Sequence, residues 1–551
     1  MQLLVDLFGY LSIILHGATI VGQATSVGSV LFLVFLARPR AWMIGTTGDA
    51  VITDTVRIAR WALLGLIVGE LATTLMQLAM LVSTTGLEPA DALGADFVVA
   101  GLIKIIVALI LLGLLSLQDS TGSSVLLVLA SACVLAAGTL TTHAIARVES
   151  REILLVATFV HQFGAAIWIG GIPAFVAALR RGSDSAAWRM VGERFSSMCM
   201  IGVVAILLSA SVLAVWYIGS VPASYGTAYG VMAGAKGAMF LALLLLGFGN
   251  FRLIRSLRPH RDTSITRLRR FAEVEIGIGF TLFFAAASLT SVPPGVDLTH
   301  DRVTFHEIVE RNTPVWPRLE SPDHDALALP ALQARLDAEA AASAQKPQAA
   351  FVPGGGSLPD RNAADIAWSE YNHHWAGLFV IAIALLALLN QAGLRAARHW
   401  PVVFFGLAGF LFFRSDPETW PMGDISFLDS LRDVEVLQHR FFVVLLVCFA
   451  IFEWRVRLGL ARARWMTLVF PLLTAIGGAA LLTHSHAIAN VKEQLLIELT
   501  HTPLALAGAA AGWARWLELR LDPGRGQRIA GWVWPLCFLL VGLFLLGYRE
   551  A

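Results

Sequence analysis

The chain has 551 residues, of which 57% are hydrophobic and only 14% charged, with a net charge of +1 and a mean hydropathy of +0.70. A soluble domain carries roughly 25% charged residues, and soluble cores of this size could not hide so much apolar surface. The composition excludes a cytosolic enzyme, a nucleic-acid binder and a disulfide-stapled secreted module.

What remains is an all-α, polytopic helical membrane protein. Its apolar runs are about 20 residues or longer, unlike the alternating segments of an outer-membrane barrel. In chain order they predict fourteen transmembrane helices. These lie at 7–37, 58–84, 94–118, 122–142, 153–179, 195–219, 228–252, 270–291, 371–394, 400–414, 436–456, 464–484, 494–516 and 529–548. The N-terminal MQLLVDLFGY lacks the basic region of a signal peptide, so the first helix is expected to be retained. The Ala-, Pro- and Gly-rich stretch from about 292 to 370 reads as a loop separating eight helices from six. The expected organisation is an N-terminal four-helix part (1–142), a second four-helix part (143–294), the loop (295–370) and a six-helix part (371–551). Cys133, Cys199, Cys448 and Cys537 stand singly in apolar runs and read as buried small hydrophobes.

Orientation follows from the short loops. One alternate set holds most of the 40 basic residues, among them Arg38, Arg40, Arg180, Arg181, the Arg252 to Arg270 segment and Arg455 to Arg464. The opposite loops are acidic or mixed, with Glu88, Asp91 and Asp96, then Asp416, Glu418, Asp424 and Asp429. With an even number of spans, both termini are expected outside, on the periplasmic face.

The fourteen histidines follow that asymmetry. His16 and His161 lie within spans near their outer ends, as does His501; His143, His373, His374, His439, His484 and His486 sit at outer span ends. His300, His306 and His324 fall in the outer loop, and only His260 and His399 map to the basic side. Ionisable groups at membrane depth are costly and usually face a bundle interior or a wet cavity. Neutral imidazole binds copper, zinc, nickel and iron. The outer histidines are therefore candidate metal ligands; the alternative at each position is a hydrogen bond to a neighbouring helix. Glu498 and His501, three residues apart, share one helical face, a spacing used in metal sites of bundles. His484 and His486 can chelate one ion only where the helix unwinds.

Glu70 and Lys104 both fall near mid-membrane on adjacent spans, where they either neutralise each other or couple to protons. Lys236 and Glu275 are further intramembrane charges, and Gly230-x-x-x-Gly234 and Gly508-x-x-x-Gly512 read as close helix contacts. No phosphate-binding loop or soluble nucleotide domain is legible, so the chain is not expected to be an ATP-driven pump or other enzyme.

Motifs between 143 and 294 add a resemblance. THA at 142–144 precedes HQFGAAIWIGGI at 161–172; then come Phe195-Ser196, YGVMAGAKGAMF with Lys236, Asn250, RRFAEVEIGIG and SVPP at 291–294. In that order they resemble the copper resistance D family of inner-membrane proteins. The resemblance implies a bacterial inner-membrane protein linked to copper uptake from the periplasm, with copper ion as its cargo. It matches His143 and His161 to the family's histidines and Trp168, Gly170 and Gly171 to its packing motif. The sequence carries no fused CopC-like domain, so the resemblance implies a separate periplasmic copper-binding partner besides the lipid bilayer, and no nucleic acid. The last six helices resemble the extension of long members and, faintly, copper-loading proteins of oxidase assembly. Three readings stay open: copper import through outer histidines, a b-type haem electron-transfer protein using the same imidazoles, and a copper chaperone for oxidase assembly.

Overall fold

The computed structural model describes residues 2–44, 47–86, 88–117, 120–182, 185–257, 265–299, 302–322, 363–483 and 491–550. Twelve helices among them are long and apolar enough to cross a bilayer. They are α1 (Phe8–Ile44), α2 (Gly48–Ser83), α3 (Asp96–Leu114), α4 (Thr121–Thr139), α5 (Arg151–Arg181), α6 (Ala186–Tyr217), α7 (Ala228–Ser256), α8 (Thr266–Leu289), α9 (Ile366–Gln391), α10 (Arg395–Arg414), α11 (Glu435–Arg457) and α14 (Arg525–Leu546).

Two further predicted spans are helices of a different character. α12 (Met466–Leu481) has 16 residues, short for a full crossing at 1.5 Å per residue. α13 (Val491–Arg520) has 30 residues but carries Glu498, Arg515 and Glu518 and an internal Pro503. The twelve therefore differ from the expected fourteen at these two elements. Residue contacts divide the chain into two compact units, 1–219 with 236–292, and 220–235 with 293–551.

In the first unit, α1 is the central helix, packed on α2 and on the middle of α5. Glycine permits this approach. A Cβ on Gly170 would lie 1.9 Å from the Ala24 carbonyl oxygen, and one on Gly28 would lie 2.2 Å from that of Ala166. The same stretch of α5, Ala166–Gly170, widens into a π-turn, a feature often found at functional sites. Gly171, also in the motif, would press a Cβ against the Phe195 ring. Two polar pairs stand at membrane depth: Lys104 Nζ lies 2.9 Å from Glu70 Oε2, and Gln23 Nε2 donates to Gln162 Oε1 at 2.9 Å.

The second unit has an aromatic core of Trp400, Phe404, Phe449, Phe470, Trp534 and Phe538. At one end, Arg515 binds Glu453 at 2.7 Å and Glu518 at 2.6 Å, while Arg457 reaches Glu453 at 2.8 Å. Gln391 and the Trp534 indole also donate to Glu518, tying α9, α11, α13 and α14 together. Gly512 meets the Ala475 backbone nitrogen at 2.5 Å from its virtual Cβ, a close helix contact, whereas Gly234 has nothing within 4 Å. The first small-residue pair is thus not a close contact at Gly234.

Gly170→Val is expected to lower stability by about 1–3 kcal/mol or more, as overpacking of a close contact does. Gly234→Ala serves as the control and should leave the melting temperature of the detergent-solubilised protein unchanged. Equal melting temperatures for Gly170→Val and wild type would contradict the packing described.

Candidate functional site

A cavity of about 580 Å³ lies in the second unit, among α9, α11, α12, α13 and the residues after α14. His373, His439 and His501 all line it, together with Asp416, Glu418 and Glu550. Three histidines from three helices, up to 128 positions apart in the chain, share one wall because the helices carrying them surround one space.

Local chemistry sets how each ring is held. His373 sits one turn after Ser369 on α9, and its Nδ1 lies 2.8 Å from the Ser369 carbonyl oxygen. A carbonyl only accepts, so Nδ1 carries the proton and Nε2 keeps its lone pair. His439 opens α11, and its Nδ1 lies 2.6 Å from Asp416 Oδ1. That contact likewise directs Nδ1–H to an acceptor, so Nε2 is the nitrogen that can coordinate once its own proton is given up. Metal-binding histidines are typically oriented by this kind of bond from the other ring nitrogen.

Asp416 is held in place from two sides. Ser415 Oγ donates to it at 2.8 Å. The neighbouring Arg440 pins the surrounding loop, donating to Phe412 O at 2.7 Å, Thr419 Oγ1 at 2.8 Å and Trp420 O at 3.1 Å. Burial alone would raise the Asp416 carboxyl, but the hydrogen bond and charge of His439 hold it below the usual carboxylate range. Glu418 goes the other way. Burial lifts it from 4.5 to about 7 against a backbone hydrogen bond, with Asp416, Glu435 and Asp433 adding repulsion.

The end of the chain closes the site. Tyr548 stacks on His373 with ring centroids 3.8 Å apart, and its hydroxyl donates to Glu550 at 2.8 Å. Glu550 also accepts from Ser369. The His501 ring stands edge-on to His373, with centroids 6.1 Å apart.

His374, also expected as a ligand, is held differently from its neighbour. Its Nδ1 accepts from the Arg318 backbone N–H at 2.7 Å and its Nε2 faces the Tyr548 carbonyl at 2.8 Å. Neither nitrogen has a lone pair to offer; the ring braces the segment that carries Tyr548. Glu498 does not join His501 at the cavity either: its carboxylate accepts from Thr502 at 3.3 Å.

The remaining candidates are placed elsewhere. His16 and His161 belong to the first unit, where His161 Nδ1 lies 3.1 Å from Ser209 Oγ. His143 begins a short helix, His143–Ala146, and its side chain lies outside the described residues, as do His484 and His486. Lys236 begins the return of α7 to the first unit. Among the described residues, no three His, Cys, Asp or Glu side chains are arranged to hold one metal ion. The donors at the cavity stand in pairs. Asp416, Ser369, Tyr548 and Glu550 were not read as site residues from sequence. The one available signal was the pairing of a scarce residue type, one of six tyrosines, with an acid just beyond the last span.

Glu418 gives a pH test. Its raised value means that the folded protein favours the neutral acid, so its stabilising contribution is full below about 4.5 and lost as pH rises through about 7. Glu418→Gln stays neutral and is expected to flatten this part of the melting-temperature profile. Profiles that run parallel for the variant and wild type across the window would contradict the assignment.

Comparison with known proteins places part of the chain. Residues 189–289 match the family described as Copper resistance protein D. A 157-residue stretch is 34% identical to the copper transport protein CutJ of Bacillus subtilis (strain 168), covering 28% of this chain. The chain thus spans 28% of the length of that relative. No solved structure matches the chain.

Proposed function

Starting from a CopD-like, copper-related multi-pass membrane protein, we propose that it takes up copper from the outer face of the inner membrane and passes it inward, with the second-unit cavity as the point of entry. The observation that carries the reading is the orientation of His373 and His439. Each has Nδ1 tied to an acceptor and Nε2 left to bind, and both rings line one cavity with His501 and acidic groups.

The chemistry follows from the donors. Neutral imidazole is a favoured copper ligand, and the carboxylates of Asp416 and Glu550 supply negative charge that draws a cation into the cavity. Asp416 acts through His439 by holding the ring's tautomer. Donors arranged in pairs, without a closed cage of three or four, fit an ion in transit, since conduction needs binding favourable enough to enter and weak enough to leave. Tyr548 and Glu550 fix one wall, so the His373 ring cannot swing away from the cavity. A separate periplasmic copper-binding chain would deliver the ion to this face, and the protein moves copper without transforming it.

The test is copper bound per purified chain, together with copper accumulated by cells. His439→Ala and His373→Ala are expected to lower both. Asp416→Asn should weaken copper binding by about 10–100-fold, the usual effect of losing an orienting partner. His399→Ala, on the basic side, should bind as wild type. Loading should also weaken as pH falls, because protons compete with the metal for the imidazole nitrogens. Unchanged copper content in both histidine variants would overturn the proposal, and a Soret band in the same sample would replace copper with haem.

A further inference from the structure

A second cavity, of about 480 Å³, lies in the first unit between α5, α6, α7 and α8. The histidine site makes no use of it, yet most of its lining falls in the segment that matches the copper resistance family. Its walls are largely apolar and aromatic. One side is not: Cys199, Met200, Asn250 and Glu275 all line it.

Glu275 and Asn250 are only 4% and 6% exposed. Asn250 Nδ2 donates to Glu275 Oε1 at 2.5 Å, and the Trp168 indole, carried on the π-turn of α5, gives Glu275 a second hydrogen bond. Two needs remain unmet. Asn250 Oδ1 is buried without a hydrogen-bond partner, which costs roughly 1–3 kcal/mol for such a group. Glu275 has no Lys, Arg or His at ion-pair distance among the described residues, whereas the other mid-membrane acid of this unit, Glu70, has Lys104. An acid at membrane depth ordinarily pairs with another charge or with a bound ion.

One occupant answers both needs: a cation, which accepts the lone pair of Asn250 Oδ1 and balances Glu275. The sulfur atoms select which cation. Thiolate and thioether ligands are soft and favour Cu(I) over hard ions such as sodium or magnesium. We propose that this cavity is a second, inner copper site, taking Cu(I) on the Cys199 sulfur with Asn250 Oδ1 as oxygen donor, Glu275 as facing negative charge and Met200 at its mouth. On binding, the Cys199 S–H bond breaks as the S–Cu bond forms. The proton leaves to solvent, and no electron changes hands. The inference rests on the copper reading above and adds a site to it.

The experiment is anaerobic titration of the full-length, detergent-purified protein with Cu(I) against a chromophoric Cu(I) chelator, with the ultraviolet thiolate-to-copper band recorded in parallel. Wild type is expected to show that band and to bind one equivalent more than Cys199→Ser. Glu275→Gln should weaken this equivalent at least tenfold, while His439→Ala should retain it. Cys199→Ser and Glu275→Gln are near-isosteric, and matching melting temperatures will confirm that they fold. If both bind Cu(I) as wild type does while His439→Ala loses copper, the inner site is overturned and the histidine site stands. If wild type binds no copper, both are overturned.

Discussion

In a hydrocarbon layer a polar side chain must find its partner within the protein, because no water is there to supply one. That constraint organises both units. Glu70 has Lys104, Gln23 has Gln162, and the Glu453, Arg515 and Glu518 network binds four helices at one end of the second unit. Beside these pairs, each of the two cavities holds atoms with remaining bonding capacity: the Nε2 nitrogens of His373 and His439 in one, and Asn250 Oδ1 in the other.

The histidine site depends on groups that never touch an ion. Ser369 and Asp416 choose the tautomers of His373 and His439, and Arg440 shapes the loop that brings Asp416 within reach. His374 serves the same end from behind: it binds the Tyr548 carbonyl, and Tyr548 stacks on His373. Two adjacent histidines therefore have opposite roles, one presenting a nitrogen to the cavity and the other spending both on the backbone.

The helical fold was legible because apolar runs of span length need no tertiary information. The number of spans was less legible: α12 is a helix of only 16 residues, and the charged residues of α13 set it apart from the twelve apolar spans. One-sided placement of histidines pointed to His373, His439 and His501, yet nothing in their spacing showed that they share a space. Helix periodicity relates residues within one helix; convergence of α9, α11 and α13 comes from packing of Val380, Phe449 and Ala511 into one core. The same limit explains Glu498, whose spacing from His501 was suited to a metal but whose carboxylate turns to Thr502. Gly170 and Gly171 were legible as packing residues only through the family motif; the 1.9 Å approach to Ala24 supplies the reason.

The most direct measurement is copper K-edge X-ray absorption on the copper-loaded, full-length protein. The account predicts the outer-shell scattering pattern of imidazole, weakened in His439→Ala and in His373→Ala. A copper shell without imidazole scattering, or one unchanged in both variants, would contradict it.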